Sequence, residues 1–132
     1  MNGRDKAARF FVILGCVVLF VNAALHCVGG YKAGFPALSA SNLDPHLQAA
    51  FRVVFLSLAW QWVVTAVVAL LAGITHTRLR RILVLFCGLA VLVEALAGAS
   101  MMGFFLGNEI IGAGGLLLVC GGLLFDESGV QT

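Results

Sequence analysis

Four stretches of this chain are so continuously apolar that water is a poor solvent for them, at about residues 10–29, 47–73, 82–106 and 110–125. Roughly twenty apolar residues in a helix cross the hydrocarbon layer of a bilayer, and inside that layer a helix satisfies its own backbone. The chain therefore reads as all-α: an integral membrane four-helix bundle, one domain over its 132 residues. Composition agrees where it bears on the point. Hydrophobic residues make up 61% and charged residues 11%, against about half and about a quarter in a soluble domain. The net charge of +2, with no Lys/Arg stripe interleaved with aromatics, sets nucleic acid aside as a partner and leaves membrane lipids.

The first run follows Arg4, Lys6 and Arg9. A secretory signal peptide opens in the same way, and Val21-Asn22-Ala23 resembles a weak cleavage site, but the run has the length of a span and is read as a retained helix. Residues 30–46 form the one long polar connection, an outer loop broken by Gly and Pro with room for a short surface helix. Asn42 or Asp44 caps the second helix and Pro45 occupies its first turn. Gly73 ends that helix, the basic turn from Thr75 to Arg81 follows, and Gly107-Asn108-Glu109 interrupts the third and fourth runs. A short polar tail begins at Asp126.

Charge sets the orientation. Arg4, Lys6, Arg9, Arg78, Arg80 and Arg81 flank one side, whereas Lys32 and Arg52 flank the other. The positive-inside bias places both termini in the cytoplasm, with the protein multi-pass in a bacterial inner membrane. Once inserted, helices gain nothing from leaving water, so they associate through small residues that let backbones approach. The third and fourth runs are rich in them, Gly98, Gly103, Gly107, Gly114, Gly115 and Gly122 among others. They serve packing within the bundle or, as a Gly-rich face, contact with a membrane protein partner or a second copy. Cys16, Cys27, Cys87 and Cys120 all lie in apolar runs with no CxxC spacing and read as small hydrophobes.

Ionisable groups within a span cost roughly 2.5–3.5 kcal/mol each on insertion scales and require a reason. At about 1.5 Å per residue, Asn22, His26 and Glu94 fall in the outer half of the bilayer. Asn22 and His26 are four apart on one face; Ser57, Gln61 and Thr65 form an i, i+4, i+8 stripe; Ala90 and Gly98 leave room beside Glu94. These positions converge on a polar core shared by the first three helices and open to the outer loop. Glu94, His26 and Arg52 are its candidate catalytic residues, with Arg52 or His26 the expected partner of Glu94. Asn22, Ser57 and Gln61 are candidate ligand contacts, with Tyr31 and Glu109 near the rim. Each has a structural alternative: Glu94 as an inter-helix strut to Gln61 or Asn22, Arg52 reaching to interfacial water, His26 as a satisfied core residue. Trp60 and Trp62 lie too deep for an interfacial belt and line the bundle or meet lipid. The sequence holds no Gly-rich phosphate loop, HExxH or GxSxG, and no metal or cofactor is expected.

The pair Leu25-His26 near the end of the first helix, the outer loop with its Pro and Asp residues, Phe51-Arg52 opening the second helix and the basic turn before the third resemble small bacterial four-helix membrane proteins, the DoxX-like proteins and related families of unknown function. The resemblance covers most of the chain in outline. It implies a four-span fold and, since some such proteins are linked to redox partners as accessory subunits, an accessory role; it carries over no catalytic residues. The polar cluster lacks a recognised catalytic spacing, so the expected function is an accessory or scaffold subunit of a membrane complex. The alternatives are an intramembrane small-molecule site around Glu94, of isomerase or hydratase type or simply binding an apolar ligand, and proton-coupled transport by an oligomer.

The charge asymmetry predicts that a fluorescent reporter fused to the C-terminus folds and fluoresces, while alkaline phosphatase fused there stays inactive. The reverse pattern would contradict the assigned orientation.

Overall fold

The computed structural model describes residues 3–75 and 79–125; His76, Thr77 and Arg78 of the basic turn, and the tail from Asp126, lie outside them. Helix α1 spans Gly3–Gly29 and continues through a π-helical turn, Gly30–Gly34, into α2, Phe35–Ser39. Helix α3 spans Pro45–Ile74, α4 Arg80–Met102 and α5 Leu106–Leu124. Four helical stretches are long and apolar enough to cross a membrane: Gly3–Ser39, α3, α4 and α5.

Besides α1, which begins at Gly3 rather than near residue 10, two boundaries differ from the sequence reading. Most of the expected outer loop, 30–46, is helical, and the chain leaves helix only between Ser39 and Pro45. The helix persists because a π turn absorbs the glycines: the Phe35 N–H reaches back to the Gly30 carbonyl, five residues rather than four. Gly30 presses directly on the Phe55 ring, where a side chain has no room. The start of α3 follows its local signals, with Pro45 in the first turn and the Asp44 carboxylate accepting from the His46 N–H at 2.8 Å. The second difference lies between the last two spans. The break falls at Gly103–Phe105, not at Gly107–Glu109. Gly103 has φ +76, a conformation that glycine adopts at little cost and that ends a helix. Gly103 and Gly107 therefore do not form a helix-packing pair.

The helices close into a ring, α1 beside α3, α3 beside α4, α4 beside α5, and α5 back against α1. Each buries one stripe at helical spacing, on α1 Ala8, Val12, Cys16, Leu19 and Ala23. The opposite faces are apolar and exposed, as at Phe86 (71%), Trp60 and Leu96; in a bilayer those faces meet lipid. The tightest seams surround α5, where glycines bring backbones together. A side chain at Gly88 would stand 2.8 Å from the Val119 backbone nitrogen, and one at Gly115 would stand 3.1 Å from the Gly88 carbonyl oxygen. Gly114 abuts Leu19 of α1, Gly121 abuts Val12, and Gly122 abuts Leu85 of α4. The glycine face is thus filled from within the chain.

Both ends of the described chain lie at one end of the bundle, which a buried ion pair fastens. Arg80, opening α4, meets Asp5 of α1 at 3.1 Å, and its guanidinium lies 4.6 Å from the centre of the Phe125 ring just beyond α5. One side chain thereby ties three helices by charge and by cation–π contact.

Gly88→Val should lower stability by about 1–3 kcal/mol, since overpacking forces backbones apart. Gly29→Ala, helical and with nothing within 4 Å, should not lower it and should raise it by up to about 1 kcal/mol. Thermal unfolding in detergent compares the two, and equal effects would contradict the packing described.

Candidate functional site

Trp62 is the centre from which the site is built. It lies on the inner face of α3, only 3% exposed, and its indole N–H is a donor that must find an acceptor. That acceptor is Glu94 of α4: Trp62 Nε1 donates to Oε1 at 2.9 Å. The preceding residue, Gln61, turns its amide to the other carboxyl oxygen at 3.4 Å. Consecutive residues of one helix thus hold both oxygens of a carboxyl on another.

His26 of α1 closes the same level. Its Nε2 is 3.1 Å from the Phe55 carbonyl oxygen; a carbonyl only accepts, so Nε2 carries the proton. The ring stacks on Phe55 with centroids 3.6 Å apart at 14° and meets the edge of Trp62 at 5.0 Å. One turn below on α1, Asn22 is 4% exposed, and its amide nitrogen has no hydrogen-bond partner among the described residues. A buried donor left unpaired costs about 1–3 kcal/mol.

These groups line a cavity of about 410 Å³, within the range of small-molecule sites. Asn22, His26, Trp62 and Glu94 form its polar wall, and the rest is overwhelmingly apolar. Its other buried polar residue, Asn108 of α5, donates to the Gly103 carbonyl at 3.3 Å and rests against Gly98, where a side chain would collide with it. Met101, Met102, Phe105 and Leu106, all exposed, border the cavity where α4 turns into α5.

The structure brings together Glu94, Gln61, His26 and Asn22 and leaves the other candidates elsewhere. Arg52 is not the partner of Glu94. It lies ten residues up α3 from Trp62, about 15 Å, where it hydrogen-bonds the Ser39 hydroxyl and faces the Phe35 ring at 5.8 Å. His26 is spent on Phe55 rather than on the carboxyl. Ser57 is exposed and returns its hydroxyl to the Val53 carbonyl within its own helix. Tyr31, 69% exposed, packs edge-on against Phe35 beyond the bundle. Glu109 borders a different groove, on the outer side of α4 and α5. Two residues escaped the sequence reading. Trp62 was placed by depth but not joined to Glu94, although a deep indole beside Gln61 signals a need for an acceptor. Asn108 looked like a turn residue because the helix break was expected beside it. Comparison with family models, with curated proteins and with solved structures finds no match for this chain.

Asn22→Leu, by replacing an unpaired buried donor with an apolar side chain of similar size, should raise the stability of ligand-free protein by about 1 kcal/mol. Reversible unfolding in lipid bicelles measures it; a loss of that size would show that Asn22 is a strut between helices.

Proposed function

We propose that this protein is a membrane-embedded binder of an apolar small molecule, held in the cavity beside Glu94. The observation that carries this reading is the cavity itself: about 410 Å³, overwhelmingly apolar, with the Trp62-paired Glu94 carboxyl in its wall and exposed Met101, Met102, Phe105 and Leu106 at its border. Binding is better supported than catalysis. Of the three candidate catalytic residues, Arg52 lies about 15 Å up the helix from Trp62, and the Nε2 of His26 is already engaged by Phe55. The positive charges support a placement with this site in the outer half of the bilayer and both termini in the cytoplasm of a bacterial inner membrane.

An accessory role, the function expected from the sequence, has one remaining support. The glycine face it would use is occupied by α1 and α4, but an outer groove between α4 and α5 is largely apolar and includes the small residues Ala95, Ala99, Gly112 and Ala113, the residue type that helix–helix contacts in membranes favour.

The test uses fluorescence. The chain has two tryptophans, so Trp60→Phe leaves Trp62 as sole reporter in the cavity. In nanodiscs, a brominated alkane should quench it saturably, and Ala97→Phe, which fills the cavity wall, should abolish the saturable part. Quenching that rises linearly and equally in both proteins would defeat the reading.

A further inference from the structure

We infer that this protein pairs with a second copy of itself through the outer face of α3, each copy's Trp60 indole N–H donating to the Ser57 hydroxyl oxygen of the other. The inference goes beyond the binding role proposed above and does not rest on it. Trp62, two residues along α3, lines the cavity, so Trp60 stands on the opposite side of the helix.

The demand for a partner comes from Trp60. It is 67% exposed, and its indole N–H, a donor only, has no hydrogen-bond partner among the described residues. It lies inside the apolar run, about 12 Å along α3 from Arg52, the nearest charged residue of that helix. Hydrocarbon suits the ring but offers its N–H no acceptor.

An acceptor stands on the same face. Ser57 is exposed, and its hydroxyl hydrogen goes to the Val53 carbonyl at 2.8 Å, which leaves the oxygen free to accept. A helical side chain leans toward the helix N-terminus, so the Trp60 ring covers the turn that carries Ser57. Around the helix the two positions are about 60° apart, and within one copy they are not bonded to each other. A twofold axis along the membrane normal, passing between them, sets the Trp60 of each copy opposite the Ser57 of the other at one depth. Copies inserted under the same charge bias share one orientation, and a twofold contact is self-complementary.

The apolar residues of this face fit the same pairing. Val53, Ser57, Trp60, Val64, Val67 and Leu71 recur at alternating spacings of four and three, and all are exposed. That is the seam of a left-handed helix pair, the commonest crossing between membrane helices. The neighbours of α3 in the ring, α1 and α4, lie to its two sides and leave this seam open to another helix.

Energy transfer tests this, with copies carrying a donor or an acceptor fluorophore at the C-terminus, reconstituted in vesicles over a range of protein-to-lipid ratios. Wild-type protein should associate reversibly. Trp60→Phe, which keeps a ring without the N–H, and Ser57→Ala, which removes the acceptor, should each weaken self-association about tenfold, because each removes both bonds. A mixed pair of the two variants keeps one bond, from Trp60 of the Ser57→Ala copy to Ser57 of the Trp60→Phe copy. It should be only about threefold weaker than wild type. Phe86→Leu, at an exposed ring on α4, should change nothing. Transfer no greater than random proximity gives, variants that associate as tightly as wild type, or a mixed pair no tighter than either variant alone would overturn the pairing. So would association that Gly112→Leu, in the outer groove of α4 and α5, abolishes.

Discussion

Within hydrocarbon a polar side chain has only the protein to bond to, and the pairing of Trp62 with Glu94 answers that constraint for the two most demanding groups in the bundle. The indole N–H of α3 and the carboxyl of α4 satisfy each other at 2.9 Å, and Gln61 takes up the remaining oxygen. That bond fixes how α3 faces α4, the least closely packed of the four neighbouring helix pairs. It also sets the rotation of α3 about its axis, which brings Phe55 under the His26 ring. The polar wall of the cavity follows from this one cross-helix contact.

Packing divides the bundle along its length. Toward the end closed by Asp5 and Arg80, glycines on α4 and α5 let backbones touch, and the interior is small and filled. Above Gly114 the next inward residue of α5 is Ile111, and then Asn108. At this level lies the cavity, lined from α1, α3, α4 and α5. The bundle is thus tightly packed at the Asp5–Arg80 end and hollow toward the α4–α5 turn.

The spans were legible because hydropathy acts over some twenty residues and tolerates local ambiguity. Pro45 and Asp44 marked the start of α3 correctly because their effects are local. The α4–α5 break was misplaced for a related reason: Gly103 and the Gly107–Glu109 run carry similar turn signals, and only the φ of +76 at Gly103 shows which the chain uses. The outer loop misled because glycines there make a π turn against Phe55, a tertiary contact with no signature in neighbouring residues. Depth and periodicity placed Glu94, His26, Gln61 and Asn22 at neighbouring levels, and the structure brings them together around Trp62. Arg52 was drawn in by charge alone, against a rise of about 15 Å from Trp62 that the same depth arithmetic contains. Trp62 was overlooked because hydrophobicity was weighed and its single donor was not.

The most direct measurement of this account is a double-mutant cycle between Trp62→Phe and Glu94→Leu, read by reversible unfolding in bicelles. A shared hydrogen bond across α3 and α4 predicts a coupling of about 0.6–2 kcal/mol. Additivity within about 0.3 kcal/mol would show that the two side chains do not hold each other, and the site built upon them would not stand.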